Sequence, residues 1–180
     1  MRALVLSAAG FEDCELLFPF YRLKEEGIEV DLAAVGDGVI TGEHGYSVRA
    51  NLLLPEVDAQ RYALLVLPGG KAAQAVRRSG YALAIVESFF KLGRPVAAIC
   101  HGAQVLAWAG VLKGRRATCH PQVAAELKHA GAIYEDSEVV VDGNLVTSRR
   151  PEDLPAFMRE TLRLLRGRAA AAGQLSTAAV

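Results

Sequence analysis

This chain has little cysteine, and what it has is arranged unhelpfully for cross-linking. Its three cysteines, Cys14, Cys100 and Cys119, are odd in number and far apart in a chain of 180 residues. No Cys-x-x-Cys or His-Glu-x-x-His spacing occurs. A disulfide framework is therefore not expected, and neither a metal nor any other cofactor is indicated. Net charge is absent as well, with 20 Lys and Arg against 20 Asp and Glu. That balance gives no general attraction to nucleic acid or to an anionic membrane. No apolar run approaches the length of a bilayer span. The opening Met1-Arg2-Ala3-Leu4-Val5-Leu6 lacks a signal-peptide pattern and reads as a first strand, so the cytoplasm is the expected compartment.

Apolar residues, by contrast, are abundant at 52%, which marks a folded globule with a sizeable core. Buried-strand text recurs at Ala3–Ser7, Ile28–Val35, Tyr62–Leu67 and Pro95–Ile99. Helical text follows these runs at Glu12–Glu26, Tyr81–Leu92, from Gln104, at Gln122–Ala130 and at Pro151–Leu165, with Lys71–Arg78 a short helix or a loop. Short alternating runs at Ile40-Thr41 and Tyr46–Arg49 read as small strands outside this pattern. Asp142-Gly143-Asn144, between two β-rich runs, signals a hairpin. Strands alternating with helices predict an α/β fold, a mostly parallel sheet with helices on both faces. One domain is expected over residues 1–166. Residues 167–180, rich in Ala, Gly, Ser and Thr, read as a flexible tail.

Ligands of such sheets bind beyond the carboxyl ends of the strands. Three loops satisfy that rule: Ala8–Glu12, Pro68–Gln74 and Cys100-His101. Cys100 stands at the turn from a strand into a helix. That place suits a nucleophile, because the turn lifts the side chain out of the sheet and free N–H groups favour a thiolate and can hold an oxyanion. His101, next in sequence, can serve as base or as backbone donor. The residues alone leave a second reading open, in which Cys100 is a small core residue.

Five motifs together go further. They are Ala8-x-x-Phe11-Glu12-Asp13, Thr41-Gly42-x-His44-Gly45-Tyr46, Leu67-Pro68-Gly69-Gly70, Ala98-Ile99-Cys100-His101-Gly102 and Val141-Asp142-Gly143-Asn144-Leu145-Val146-Thr147-Ser148-Arg149. In this order, over about Met1 to Leu165, they closely resemble the PfpI-type intracellular protease family. That family lies in the glutamine-amidotransferase-like superfamily, alongside the parkinsonism-associated deglycases. The resemblance implies a flavodoxin-like sandwich, a homodimer with hexamers in some members, and a reactive thiol at Cys100 on a strained elbow. It also implies that Glu12 lies beside the sulfur, where a protonated acid would donate to a thiolate. Backbone N–H groups of Gly70 and His101 would form the oxyanion hole.

Two positions depart from the protease pattern. Where those members carry an acid that reaches a neighbouring subunit's histidine, this chain has Gln74. An amide can fix a tautomer, but it cannot stabilise an imidazolium as a carboxylate does. At position 120 a histidine replaces tyrosine. His120 is either a side chain of the site, as in the deglycase branch, or only a residue at a helix start before Pro121. Three functions follow from one activated thiol in a stress-response protein. The first is glyoxalase or deglycase chemistry on reactive aldehydes, with Cys100, Glu12 and His101 or His120. The second is peptide hydrolysis with Cys100, His101 and Gln74. The third is non-enzymatic redox sensing or chaperone action, in which Glu12 would stabilise an oxidised Cys100.

Overall fold

The computed structural model describes residues 1–36 and 38–177, with side chains as far as Arg168. The chain opens with β1 (Arg2–Ala8), α1 (Asp13–Glu25) and β2 (Glu29–Val35). A small hairpin, β3 (Val39–Thr41) and β4 (Ser47–Arg49), comes next, and then the two-residue β5 (Leu52–Leu53). After it come β6 (Leu64–Leu67), α2 (Ala72–Val76), α3 (Gly80–Lys91), β7 (Val96–Ile99) and α4 (Ala103–Trp108). The last third holds β8 (Arg116–Ala117), α5 (Ala124–His129), β9 (Ile133–Tyr134), β10 (Val139–Asp142), β11 (Leu145–Ser148) and α6 (Leu154–Thr177).

The main sheet has seven strands in the order β10-β11-β7-β6-β1-β2-β5. All neighbours are parallel except β10 and β11, which form an antiparallel hairpin around Gly143-Asn144. Residues of β6, β7 and β11 are buried throughout, as expected of central strands covered by helices on both faces; β6 and β7 are wholly apolar and β11 ends in buried Thr147 and Ser148. From β1 the chain moves outward through β2 to β5, then returns to the other side of β1 as β6 and continues outward to β7. Right-handed crossovers in opposite directions put their helices on opposite faces. One layer accordingly holds α1 against α6, and the other holds α2, α3, α4 and α5, with α4 contacting the remaining three. This is the mostly parallel α/β sandwich that the strand pattern predicts, in the flavodoxin-like form that the resemblance implies.

Three features depart from the expected elements. β5, β8 and β9 are strands of two residues each, too short to leave a period in the sequence. The last helix, expected to end at Leu165, carries the backbone on to Thr177. Its extension crosses the run Ala169-Ala170-Ala171-Ala172, and alanine has the highest helix propensity of any residue. Residues 178–180 of the expected tail lie outside the described residues. Among the described residues, no helix is long and apolar enough to cross a membrane.

The change of direction between β1 and β6 makes a switch point, where the loops that follow the two strands diverge and leave a crevice. The three loops singled out from the sequence meet there. Phe11 bridges to Gly70, Ala72 N–H donates to the Gly10 carbonyl at 2.9 Å, and Glu12 N–H donates to the Gly69 carbonyl at 3.3 Å.

Candidate active site

β7 delivers the chain to Cys100, where φ is +60°, the one positive value at a non-glycine among the described residues. An L-residue held there costs about 1–3 kcal/mol, which the surrounding structure must offset. The turn Cys100–Gly102 follows and leads directly into α4. A Cβ on Gly102 would collide with the Leu67 carbonyl and lie 2.8 Å from that of Pro68. Glycine there lets the turn press against the end of β6. On the facing loop, a Cβ on Gly69 would collide with Glu15 Oε2 and lie 2.8 Å from Cys100 Cβ. The Pro68-Gly69-Gly70 backbone is therefore packed directly on the thiol.

The acid beside the sulfur is Glu15, which corrects the expectation of Glu12. Glu15 is fully buried, its Oε2 accepts the Gly69 N–H at 3.0 Å, and its carboxyl and the Cys100 Cβ pack against the same face of Gly69. Burial holds this carboxyl up to about 8, so it is protonated at neutral pH. Glu12 instead sits one turn earlier as the N-cap of α1. Its Oε2 accepts the Glu15 N–H at 2.8 Å, and its Oε1 lies 3.5 Å from His44 Nε2. Its negative charge contributes to raising Glu15. The sequence carried a signal for Glu15 that the motif reading passed over. Positions 15, 19 and 23 share a helix stripe, and Glu15 is buried there with Pro19 and Leu23.

The thiol itself departs from the expectation of a thiolate favoured by a helix start. Burial pushes it up, and a charged Glu15 would push it further, while the backbone N–H groups of His101 and Gly70 pull it down. The same two N–H groups are the ones expected to form the oxyanion hole, and they favour negative charge on the sulfur as well. α4 is only six residues long, which leaves little helix dipole to add. The Glu15 carboxyl, held protonated beside Cys100, can offer its proton to a sulfur anion.

His101 Nδ1 lies 3.2 Å from Cys100 Sγ. Burial, and then the neighbouring His120, lower its pKa, so the ring is neutral and able to accept a proton. His120 fits both of its readings. It accepts the Gln122 N–H at 3.3 Å as a helix cap, and its ring stacks on His101 with centroids 4.8 Å apart and planes 24° from parallel. Its backbone N–H also reaches the Cys100 carbonyl at 3.4 Å. Gln74 is exposed and lines the same cleft.

That cleft measures about 590 Å³. Besides Glu12, Glu15, Gly70, Gln74, Cys100, His101 and His120, its walls include Glu43, Lys71, Gln122, Arg150 and Glu152, which the sequence reading did not assign. These five come from loops far apart in the chain and share no spacing that would have marked them. Among the described residues no group of three or more His, Cys, Asp or Glu is placed to hold a metal ion. The arrangement joins a thiol, a buried acid, two N–H donors and two stacked histidines at one opening. It can form a covalent bond to an electrophilic carbon and move protons on either side of it.

Comparison with known proteins bears on this geometry. A model described as the DJ-1/PfpI family matches residues 1–164. Deglycase TK1284 of Thermococcus kodakarensis is 53% identical over 166 residues, covering 92% of this chain and 100% of that protein. Deglycase PfpI of Pyrococcus furiosus is 51% identical over 166 residues, with the same coverage of each chain. The crystal structure of Drosophila melanogaster DJ-1beta superposes with a TM-score of 0.84 at 30% identity and covers 97% of both chains.

Proposed function

The chain belongs to the DJ-1/PfpI family, and from that premise we propose that it is a deglycase or glyoxalase of reactive aldehydes with Cys100 as nucleophile. The observation that carries this reading is the fully buried Glu15 carboxyl packed with Cys100 against Gly69. Relatives about half identical to it and named deglycases support the reaction class. For methylglyoxal, Sγ loses its proton to a neighbouring base and attacks the aldehyde carbon. The carbonyl π pair moves to oxygen, which is protonated, and a hemithioacetal results. His101 or His120 then takes the hydrogen from the former aldehyde carbon and returns a proton to the adjacent carbon through an enediolate. The product is a lactoyl thioester on Cys100. Water cleaves the thioester to lactate and frees the thiol, so the carbon skeleton is oxidised at one carbon and reduced at the next without an external oxidant. Glu15 stabilises the sulfur anion, and the N–H groups of Gly70 and His101 serve the oxyanion.

The test compares methylglyoxal loss and lactate formation by wild type and Cys100→Ala at low micromolar protein. Lactate that requires Cys100 is the expected result; equal consumption by the two proteins sinks the reading.

A second reading, redox sensing, is favoured by the same acid, since a protonated Glu15 can hydrogen-bond an oxidised sulfur. Stoichiometric peroxide should then modify Cys100 ahead of Cys14 and Cys119. Peptide hydrolysis draws less support, because Gln74 gives His101 no carboxylate. We further place the chain in a reducing compartment such as the cytoplasm, where its three free cysteines are stable. The active form is taken to be a homodimer. Exposed Phe18 and Tyr21 on α1, with Tyr46, border an apolar groove of about 880 Å³ that suits a second copy.

A further inference from the structure

We propose that Asp13 is a positioning residue that clasps the 42–46 turn at the mouth of the Cys100 cleft, so that Glu43 forms an acidic rim admitting neutral electrophiles to the thiol in preference to anionic ones. The inference rests on Cys100 as the reactive group, and it does not depend on any particular turnover.

Asp13 is the first residue of α1 and only 7% exposed. Both of its oxygens are committed to one turn: Oδ2 accepts the His44 N–H at 3.0 Å and Oδ1 accepts the Tyr46 N–H at 3.0 Å. Gly42 lies against it so closely that a Cβ there would collide with Oδ2 and lie 2.8 Å from Phe11 Cε2. Two backbone bonds complete the docking and a third closes the turn on itself. Gly10 N–H donates to the Thr41 carbonyl at 2.7 Å, Glu43 N–H donates to the Phe11 carbonyl at 2.8 Å, and Gly42 N–H donates to the Tyr46 carbonyl at 2.8 Å.

The consequence is the placement of two side chains. Glu43 lines the cleft, with Oε1 accepting the Lys71 N–H at 2.9 Å. His44 is directed to Glu12, 3.5 Å away. The bond from Lys71 comes from its backbone, so the lysine side chain does not consume the Glu43 charge. Glu12 and Glu152 add two more carboxylates to the walls, against Lys71 and Arg150. Charges gathered at a cleft mouth act on the rate at which a charged reagent arrives. The β3–β4 ladder, Val39 with Arg49 through Thr41 with Ser47, is independent of Asp13. Losing the clasp should therefore free the tip of the hairpin without unravelling it.

The test measures alkylation of Cys100 by iodoacetamide and by iodoacetate, read by peptide mass spectrometry so that exposed Cys14 is scored separately. Amide hydrogen exchange at His44 and Tyr46 is followed in parallel. Wild type should prefer iodoacetamide more strongly than a free thiol does. Asp13→Ala should lower that preference by about threefold and speed exchange at both amides. Asp13→Asn, which keeps one acceptor oxygen, should fall between. Glu43→Gln should lower the preference with the amides still protected, and it serves where Asp13→Ala folds poorly. The preference should also weaken in salt, as a field effect does. Unchanged reagent preference in Glu43→Gln and Asp13→Asn, or unchanged amide protection in the Asp13 variants, overturns the proposal. If Cys100 reacts with neither reagent, the nucleophile reading fails instead, and the amides still decide the clasp.

Discussion

Glu12 and Glu15 stand one helical turn apart and do different work. Glu12 is a cap with a histidine partner, whereas Glu15 is buried and holds its proton to about pH 8. An unfolded chain releases that proton near 4.5. The fold therefore binds the proton more tightly, and the resulting stabilisation is complete below about 4.5 and is lost as pH rises through about 8. Relative to Glu15→Gln, wild type should lose stability over that window, by on the order of 4 kcal/mol, which denaturant unfolding at pH 4.5, 6 and 8.5 would show. A difference that does not change with pH would mean that Glu15 is not the protonated acid. The same residue sets the pH profile of the thiol. Alkylation of Cys100 in wild type should change slope near pH 8, and that inflection should be absent in Glu15→Gln. Glu12→Gln should keep the inflection and move it to lower pH, since the Glu12 charge helps to raise Glu15.

At the level of elements, the site is made by strand ends and glycines. The elbow after β7 holds a strained Cys100 only because Gly102 lets the turn lie against the Leu67 carbonyl. Gly102→Ala should cost about 1–3 kcal/mol, because overpacking against backbone has no flexible side chain to absorb it. Gly110→Ala is a fair control for the loss of a glycine. Its Cβ meets nothing within 4 Å, although its φ of +68° carries its own strain. Thermal unfolding of the two variants, with Cys100 alkylation rates, separates the cases: only Gly102→Ala should also displace the thiol. These elements were largely legible in the sequence. The runs at Ala3–Ser7, Tyr62–Leu67 and Pro95–Ile99 are strands because they alternate with helical periods, and the rule that ligands sit at strand ends pointed to the three converging loops. What was not legible has physical reasons. Two-residue strands such as β9 have no period. Glu15 was hidden because an acid near a helix start is normally solvated, and only its place in line with Pro19 and Leu23 marks it as buried. The cleft walls at Glu43, Lys71 and Arg150 depend on tertiary contacts that no spacing encodes.

At the scale of the whole molecule, the cleft and the apolar groove are neighbours that share Pro151 as a wall. Asp13 also lines the groove while its carboxylate holds the turn beside the cleft. A second copy seated on Phe18, Tyr21 and Tyr46 would thus press on the helix and hairpin that shape the thiol's surroundings, and association and reactivity should be linked. Leu17 and Leu154 make the groove floor apolar, so its burial is driven by area and not by charge. Replacing both Phe18 and Tyr21 by Glu sets two carboxylates in that face, at exposed positions where the isolated fold bears them at little cost. Sedimentation velocity at micromolar concentration should show a dimer for wild type and a monomer for Phe18→Glu/Tyr21→Glu. If the monomer keeps both the alkylation rate of Cys100 and the iodoacetamide preference of wild type, the cleft is complete within one chain and the dimer is not needed for reactivity. A wild type that is already monomeric would remove the homodimer from the proposed function and leave the groove without its occupant.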